Sequence, residues 1–339
     1  MNRKSTLLIL AAFSLFVSAC GGSTAAPTVS PTNTPVATES APPTARAVDI
    51  SQLIVENYPR VDGSTSAYPL QMTLACQILD VPCIWLEGDL FSTTRSIIPD
   101  PEFEGSSDQV EKIYNIWHSG THGSYMNLIE GNADIIIVAR PPSEDELQAA
   151  EQADLHLEFK PIALDAFVFV LNEKNPIDTI TLDNIRAVYT GEITNWLKLG
   201  GSFAEIHTYQ RNRNSGSQEL MERLVMRGAP MIESPDMILE SMMGPIHAIS
   251  DDPLGIGYSV YFYAAFIFPH ERVKMIAVDG VRPTSENIAD RSYPLTTEVY
   301  AVIRGDAPRD SAARLLLDWL QTTEGQAAIA KSGYVPISH

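Results

Sequence analysis

The sequence predicts an α/β fold with largely parallel sheets, on three observations. Short runs rich in β-branched residues alternate with stretches of helical periodicity, the helical stretches open on Ser, Thr or Gly, and no fixed period repeats along the chain. With 339 residues, 45% of them hydrophobic and 19% charged, the chain can build a compact core, and two lobes are the natural count.

Taken in order, the first 19 residues read as an address. Arg3 and Lys4 precede an apolar run, Leu7 to Val17, that is too short to span a bilayer comfortably and ends in Val17-Ser18-Ala19-Cys20. This resembles a bacterial lipoprotein signal, which implies cleavage before Cys20, a lipid on its sulfur and an extracytoplasmic, membrane-anchored protein. Residues 20–47 are Ser, Thr, Ala and Pro with almost no large apolar side chain, so they read as an extended tether. No later stretch reaches 18 uninterrupted apolar residues.

From Val48 onward the elements follow one another closely. Asp62-Gly63-Ser64-Thr65-Ser66 precedes a helix whose apolar face is Leu70, Leu74, Ala75, Ile78 and Leu79. Ser119-Gly120-Thr121-His122-Gly123-Ser124 opens a helical stretch from Tyr125 to Glu130, ended by Gly131. Asp134 to Val138 is a buried-strand run, and Ser143 with Glu146 gives a capping-box spacing for a helix toward Ala153. Ile162 to Leu171 reads as a strand, Thr181 caps a helix that Gly191 ends, and Ile206 to Tyr209 is a short strand. Asn214-Ser215-Gly216-Ser217 leads into a helix with Leu220, Met221, Leu224 and Val225 on one side. Ala312, Leu315, Leu316, Trp319 and Leu320 share the face of another helix, and a short one follows before Gly333.

Charge and cysteine content exclude several function classes. A formal net charge of −19 argues against a general nucleic-acid binder, because phosphate backbones require clustered cations. Three cysteines are too few for a disulfide-stapled miniature fold or a Cys-rich zinc module; with Cys20 assigned to lipid, Cys76 and Cys83 form either a local disulfide or two buried thiols. His118 and His122 are four apart, but the region reads as a glycine loop, so no metal or cofactor is expected. Ser64, Ser66, Ser119 and Ser215 have no evident adjacent base, there is no G-x-S-x-G elbow or Walker loop, and no catalytic residue is assigned. Trp85, Trp117, Trp196 and Trp319 read as core or surface aromatics.

The three Ser/Thr/Gly clusters carry the informative chemistry. A helix N-terminus offers unpaired N–H donors and about half a positive charge. Glycine lets backbone approach an oxyanion, and hydroxyls add donors. Three such starts surround a tetrahedral anion without a net positive protein, and Arg211, four residues before Ser215, adds a charge-assisted contact. Ordinary N-capping is the commoner reason for any one such cluster; it is the three together with Arg211 that point to an anion.

The order of Val61 to Ser66, the Ser119–Ser124 loop before Glu130-Gly131-Asn132-Ala133-Asp134-Ile135, Pro161 to Ala166, Tyr189 to Trp196 and Arg211 to Ser217 resembles the phosphate-binding proteins of phosphate ABC importers. The resemblance runs from Val48 to Ile337. It implies a two-lobe type II periplasmic-binding-protein fold with mixed sheets flanked by helices and an oxyanion in the cleft. Lobe one would be residues 48–165 with a return over 294–339, and lobe two residues 166–293. It further implies a monomer without cofactor that binds inorganic phosphate through Ser64, Thr65, Ser66, Thr121, Arg211, Ser215, Gly216 and Ser217 and meets the membrane subunits of an ABC permease.

Two departures from the family pattern bear on selectivity. Where many relatives place an aspartate that accepts the proton of hydrogen phosphate, this chain has Val138-Ala139-Arg140-Pro141, so selectivity must come from another carboxylate or be weaker. Because some relatives carry an arginine-proline pair here, Arg140 reads as an added anion contact, with a solvated loop arginine as the alternative. Arg213 stands where an acidic residue is common. Both changes predict a more cationic cleft. The same chemistry leaves receptors for sulfate, molybdate or tungstate, and a phosphate-sensing or phosphoester-hydrolysing surface protein, as alternatives.

Overall fold

The strongest apolar runs of the sequence become the middle of one eight-stranded sheet. A computed structural model describes residues 48–87 and 95–337; the signal segment, the tether and Cys20 lie outside the described residues. The chain enters through β1 (Val61–Gly63), turns through a 3-10 segment into α1 (Tyr68–Ile78), and forms the antiparallel pair β2 (Cys83–Leu86) and β3 (Ser96–Pro99). Next come α2 (Ser107–Tyr114), α3 (Thr121–Ile129), β4 (Ile135–Val138), α4 (Glu144–Gln152) and the long β5 (Leu157–Asn172). Then follow β6 (Thr179–Ile180), α5 (Leu182–Tyr189), β7 (His207–Thr208), β8 (Gln210–Arg211) and α6 (Gly216–Leu220), which continues as a π-helical turn over Met221–Met226. β9 (Ile238–Leu239), α7 (Gly244–Asp251), β10 (Gly255–Val260), β11 (Val273–Met275), β12 (Ala277–Val278) and α8 (Ser285–Ala289) precede the return. The return consists of β13 (Thr296–Arg304), α9 (Ala312–Leu320), α10 (Thr323–Lys331) and β14 (Val335–Pro336).

The sheet order is β1-β4-β13-β5-β10-β7, with β11 and β14 also bonded to β5. β1 runs parallel to β4 and β10 parallel to β7, whereas β13 is antiparallel to both β4 and β5, and β10 is antiparallel to β5. The sheet is therefore mixed, which corrects the largely parallel arrangement read from the alternation of elements. A strand buried on both faces shows the same continuous apolar run in either direction, so β4, buried throughout, says nothing about the sense of its neighbour. Both the return of the chain through β13 and the pairing of β10 against β5 make the sheet mixed.

β5 ties the two halves of the sheet together. It pairs with β13 from Leu157 to Ala166 and with β10 from Phe167 to Leu171, so one strand of 16 residues changes partner in mid-course. Beyond that change Phe167 and Phe169 pack with Tyr189 and Tyr258 in edge-on and tilted contacts that add to their area burial. α9 buries Leu316, Leu317, Trp319 and Leu320. Cys76 and Cys83 are disulfide-bonded, which joins α1 to β2. Trp196 and Trp319 are buried, and Trp117 is on the surface.

Asp165 sits at the partner change, buried, with Oδ1 accepting the N–H groups of Ala166 (2.8 Å) and Phe262 (3.0 Å) while Oδ2 has no partner. Burial pushes its carboxyl up to about 7, against the pull of those N–H donors. The folded state then holds a proton that the unfolded chain releases at an ordinary carboxyl pKa. Asp165 therefore stabilises the fold most below about pH 4, and that contribution is lost as pH rises through about 7. Asp165→Asn removes this titration. Urea unfolding is expected to show the variant gaining on the wild type between about pH 4 and about pH 7 and levelling off above, and parallel pH profiles would contradict the assignment.

Candidate functional site

The C-terminal ends of β1 and β4 lie side by side, and the loops that leave them build one wall of the site. The Ser64 N–H donates to Ile137 O (3.0 Å), which continues the β1–β4 ladder by one residue. Ser64 Oγ accepts the Ala139 N–H at 3.0 Å and lies 2.7 Å from Thr121 Oγ1. Gly63 is obligatory here, since a Cβ would stand 2.2 Å from Ile137 O. The buried carboxylate of Asp62 fastens this loop to the next one, because it accepts the N–H groups of Gly63 (2.7 Å) and Ser119 (2.8 Å) and the side-chain amide of Asn127 (2.7 Å). Asp62 thus holds two of the three predicted clusters in register.

α3 begins at Thr121, four residues before the start read from its periodicity, with Gly120 as N-cap at φ +81°. Only that glycine conformation lets the chain turn abruptly into the helix and bring the Thr121 hydroxyl to the wall. Neither Ser64 nor Gly120 caps a helix through a side chain, whereas Ser215 does, its Oγ accepting the Gln218 N–H at 3.0 Å. Ordinary capping therefore accounts for one of the three clusters.

The opposite wall is built on β8 and α6. The Arg211 N–H donates to Tyr258 Oη (3.0 Å), and that hydroxyl donates to Gln218 Oε1, so strand end, β10 and helix are locked together. The Arg211 guanidinium is nearly buried. Its Nε donates to Leu239 O at 2.9 Å, and the two terminal nitrogens reach Glu240 O at 3.1 Å, Asn212 Oδ1 at 3.5 Å and Met242 Sδ at 3.3 Å. No carboxylate is among these partners. Burial accordingly pulls its pKa below the usual value, with Tyr258, Tyr263 and Glu240 opposing.

Ser64, Thr65, Ser66, Thr121, Arg211, Ser215, Gly216 and Ser217 all line one cavity of about 530 Å³. The walls meet closely, for a Cβ on Gly216 would stand 2.4 Å from Thr121 Oγ1, and only glycine permits that approach of α6 to α3. Met242 is a lining residue that sequence reasoning missed. Its sulfur, a weak acceptor, lies 3.6 Å from Ser217 Oγ as well as beside Arg211. No spacing rule links a methionine 31 residues away to that arginine. His118 packs against Tyr68 in a tilted contact at a centroid distance of 4.4 Å, and His122 Nδ1 lies 3.1 Å from Glu146 Oε1. Both histidines line the cavity.

Arg140 does not belong to this set. Its guanidinium is bidentate to Glu146 (2.8 Å on each nitrogen) and reaches Glu219 at 2.7 Å, and the residue is not among those lining the cavity. Its assignment as an anion contact is withdrawn, because two carboxylates already occupy it. Arg213 is exposed and also stands outside the lining, so the expected cationic enrichment of the cleft is not found.

Residues 100–324 match the family model described as PBP superfamily domain. The chain belongs to the PBP superfamily. Among its relatives, the phosphate-binding protein PstS of Bacillus subtilis is 27% identical over 179 residues, 52% of this chain and 57% of that one. The chain therefore matches little more than half the length of that protein. Protein SphX of Synechococcus elongatus is 24% identical over 81% of this chain and 82% of its own. In fold, the chain is similar to a putative phosphate ABC transporter substrate-binding protein with bound phosphate from Clostridium perfringens. That likeness has a TM-score of 0.61 at 24% identity and covers 83% of this chain and all of that one.

Because three donors converge on its carboxylate, Asp62→Ala is expected to cost about 3 kcal/mol in urea unfolding, from orphaned N–H groups and a lost charge-assisted contact. A loss below 1 kcal/mol would show that the two loops do not depend on it.

Proposed function

We propose that this protein captures inorganic phosphate in the cavity between the Thr121 and Arg211 walls and hands it to an ABC importer. The observation that carries the reading is the Arg211 guanidinium, nearly buried and partnered only by dipoles, at the edge of a cavity lined with hydroxyls and helix starts. A tetrahedral oxyanion supplies the charge this arrangement lacks, and it replaces the thioether of Met242 as a far stronger acceptor. The phosphate-binding names of the Bacillus subtilis and Staphylococcus aureus relatives support phosphate as that anion.

Under this reading Thr65, Ser66, Thr121, Ser215, Gly216 and Ser217 donate to the anion, and Ser64 orients the Thr121 hydroxyl. Glu240, the acidic residue among the lining, accepts the proton of hydrogen phosphate in place of the aspartate missing near Ala139. The protein binds without turnover, as a monomer held by a lipid on Cys20 through the residue 20–47 tether. Lobe one is residues 48–165 and 294–339, lobe two is residues 166–293, and closure of the lobes presents the ligand to the permease.

Arg211→Ala is expected to lose about 2–4 kcal/mol of phosphate binding by calorimetry, since it strips a desolvated charge-assisted contact. Unchanged affinity would remove Arg211 from the site. In a thermal-shift panel at neutral pH phosphate is expected to stabilise the protein and sulfate much less, and Glu240→Gln to narrow that gap. Equal stabilisation by sulfate in the wild type would move the assignment to another oxyanion.

A further inference from the structure

The cluster that removed Arg140 from the anion site has a geometry of its own. Arg140 follows β4 and Glu146 lies on α4, both on the Thr121 side of the cavity, whereas Glu219 lies on α6, one helical turn after Ser215. The bidentate contact with Glu146, a further bond from Arg140 to Pro141 O (2.9 Å) and the face of the Tyr125 ring already satisfy most of the guanidinium. Glu219 is therefore a second carboxylate on a cation that has one, and the one that reaches it from the other wall.

We infer that Arg140 and Glu219 form a latch across the cavity, a positioning pair with Glu146 as its fixed anchor, which sets how firmly the donors at the start of α6 are held against Thr121. When the walls part, Arg140 keeps Glu146 and no charge is stranded. When they meet, the 2.7 Å contact draws α6 in, and the Gly216–Thr121 approach marks the end of that travel. Glu146 also touches His122, whose ring lines the cavity, so the anchor reaches the ligand wall.

Closure changes the charge balance of the cluster. Glu219 is pushed up to about 7 first by burial and then by Glu146 and Asp145, with Arg140 pulling the other way. Arg140 moves upward too: burial opposes its charge, but the hydrogen bond and charge of Glu146 outweigh that. The two directions agree once Glu219 is seen as the surplus anion. Tyr125 and Arg223 also face it, the former from α3 and the latter from the turn after α6. In the parted state Glu219 is a solvated carboxylate of ordinary pKa. The shut state thus takes up a proton between about pH 4.5 and about pH 7, and shutting becomes easier as pH falls through that window.

The inference rests on the phosphate reading in one arm of its test and is independent of it in the other. Calorimetry with inorganic phosphate on the full chain at pH 8 and pH 5.5 compares wild type, Glu219→Gln and Glu219→Ala. Phosphate itself titrates alike in all three experiments, so the wild type is expected to tighten between those values by roughly tenfold more than Glu219→Gln. Glu219→Ala, which loses the contact altogether, is expected to bind on the order of tenfold more weakly at pH 5.5. Identical pH profiles for wild type and Glu219→Gln would overturn the latch. In the second arm, small-angle scattering without ligand is expected to show the wild type more compact at pH 5.5 than at pH 8, and Glu219→Gln indifferent to pH. If no phosphate heat is seen at either pH, the phosphate reading fails; pH-dependent compaction absent from Glu219→Gln would still support the latch, and its absence from the wild type would overturn it.

Discussion

A buried guanidinium surrounded by dipoles but given no counter-ion is the constraint on which the rest of this fold turns. Taking an arginine out of water costs several kcal/mol, and carbonyl oxygens recover only part of it. The protein accepts that cost at Arg211, where the partners are Leu239 O, Glu240 O, an amide oxygen and a sulfur. It declines the same cost at Arg140, where two carboxylates close on one head group. The contrast between these two buried arginines, rather than any total of positive charge, separates the proposed ligand site from a structural one. Holding Arg211 in so poor an electrostatic position requires a rigid frame, supplied by its β8–β9 pairing, the Tyr258–Gln218 clamp and the aromatic cluster behind them.

Much of that frame was legible in the residues. The apolar runs at Ile135 and Ile162, the caps at Thr181 and Ser143, and the glycines after α5 and α10 obey local rules, and the elements fall where those rules place them. The Ser/Gly clusters were legible for a related reason: tight turns into helices need particular residues, and those residues are few. What stayed hidden was non-local. Glu146 is a capping-box residue by its spacing, and it does accept the Ser143 N–H, but nothing in the spacing reveals that the same carboxylate also takes the Arg140 guanidinium. Glu219 sits 79 positions from Arg140, and only the fold reveals their contact. The sense of β13 was equally hidden, because a double-faced burial pattern carries no direction.

The continuity of β5 explains how the two walls can be both independent and coupled. Backbone hydrogen bonds run along β5 to β13 on one side of the Ala166–Phe167 junction and to β10 on the other, so each half of the sheet keeps its own ladder. A bend of the chain at that junction would leave both ladders intact, as the proposed closure requires. Asp165 at the junction is half-satisfied, with two N–H donors on one oxygen and none on the other. Such a residue ties the strand to the Phe262 segment while leaving the joint free of a fully paired network that would stiffen it.

A net charge of −19 and the proposed anion site are compatible because they act over different distances. Surface carboxylates repel an approaching anion only within about a Debye length, roughly 8 Å at physiological salt, so their effect falls mainly on the rate of encounter. Retention depends on contacts within hydrogen-bond distance, where hydroxyls and helix starts carry no net charge for the acidic surface to cancel. The acidic groups nearest the cavity are disposed accordingly. Asp62 spends its oxygens on Gly63, Ser119 and Asn127, while Glu146 and Glu219 spend theirs on Arg140. These three carboxylates have their lone pairs turned toward protein donors, which leaves Glu240 as the acidic residue among the cavity lining. Arg211 is left as the buried cation that no carboxylate of the protein shares, which is what the proposed oxyanion requires.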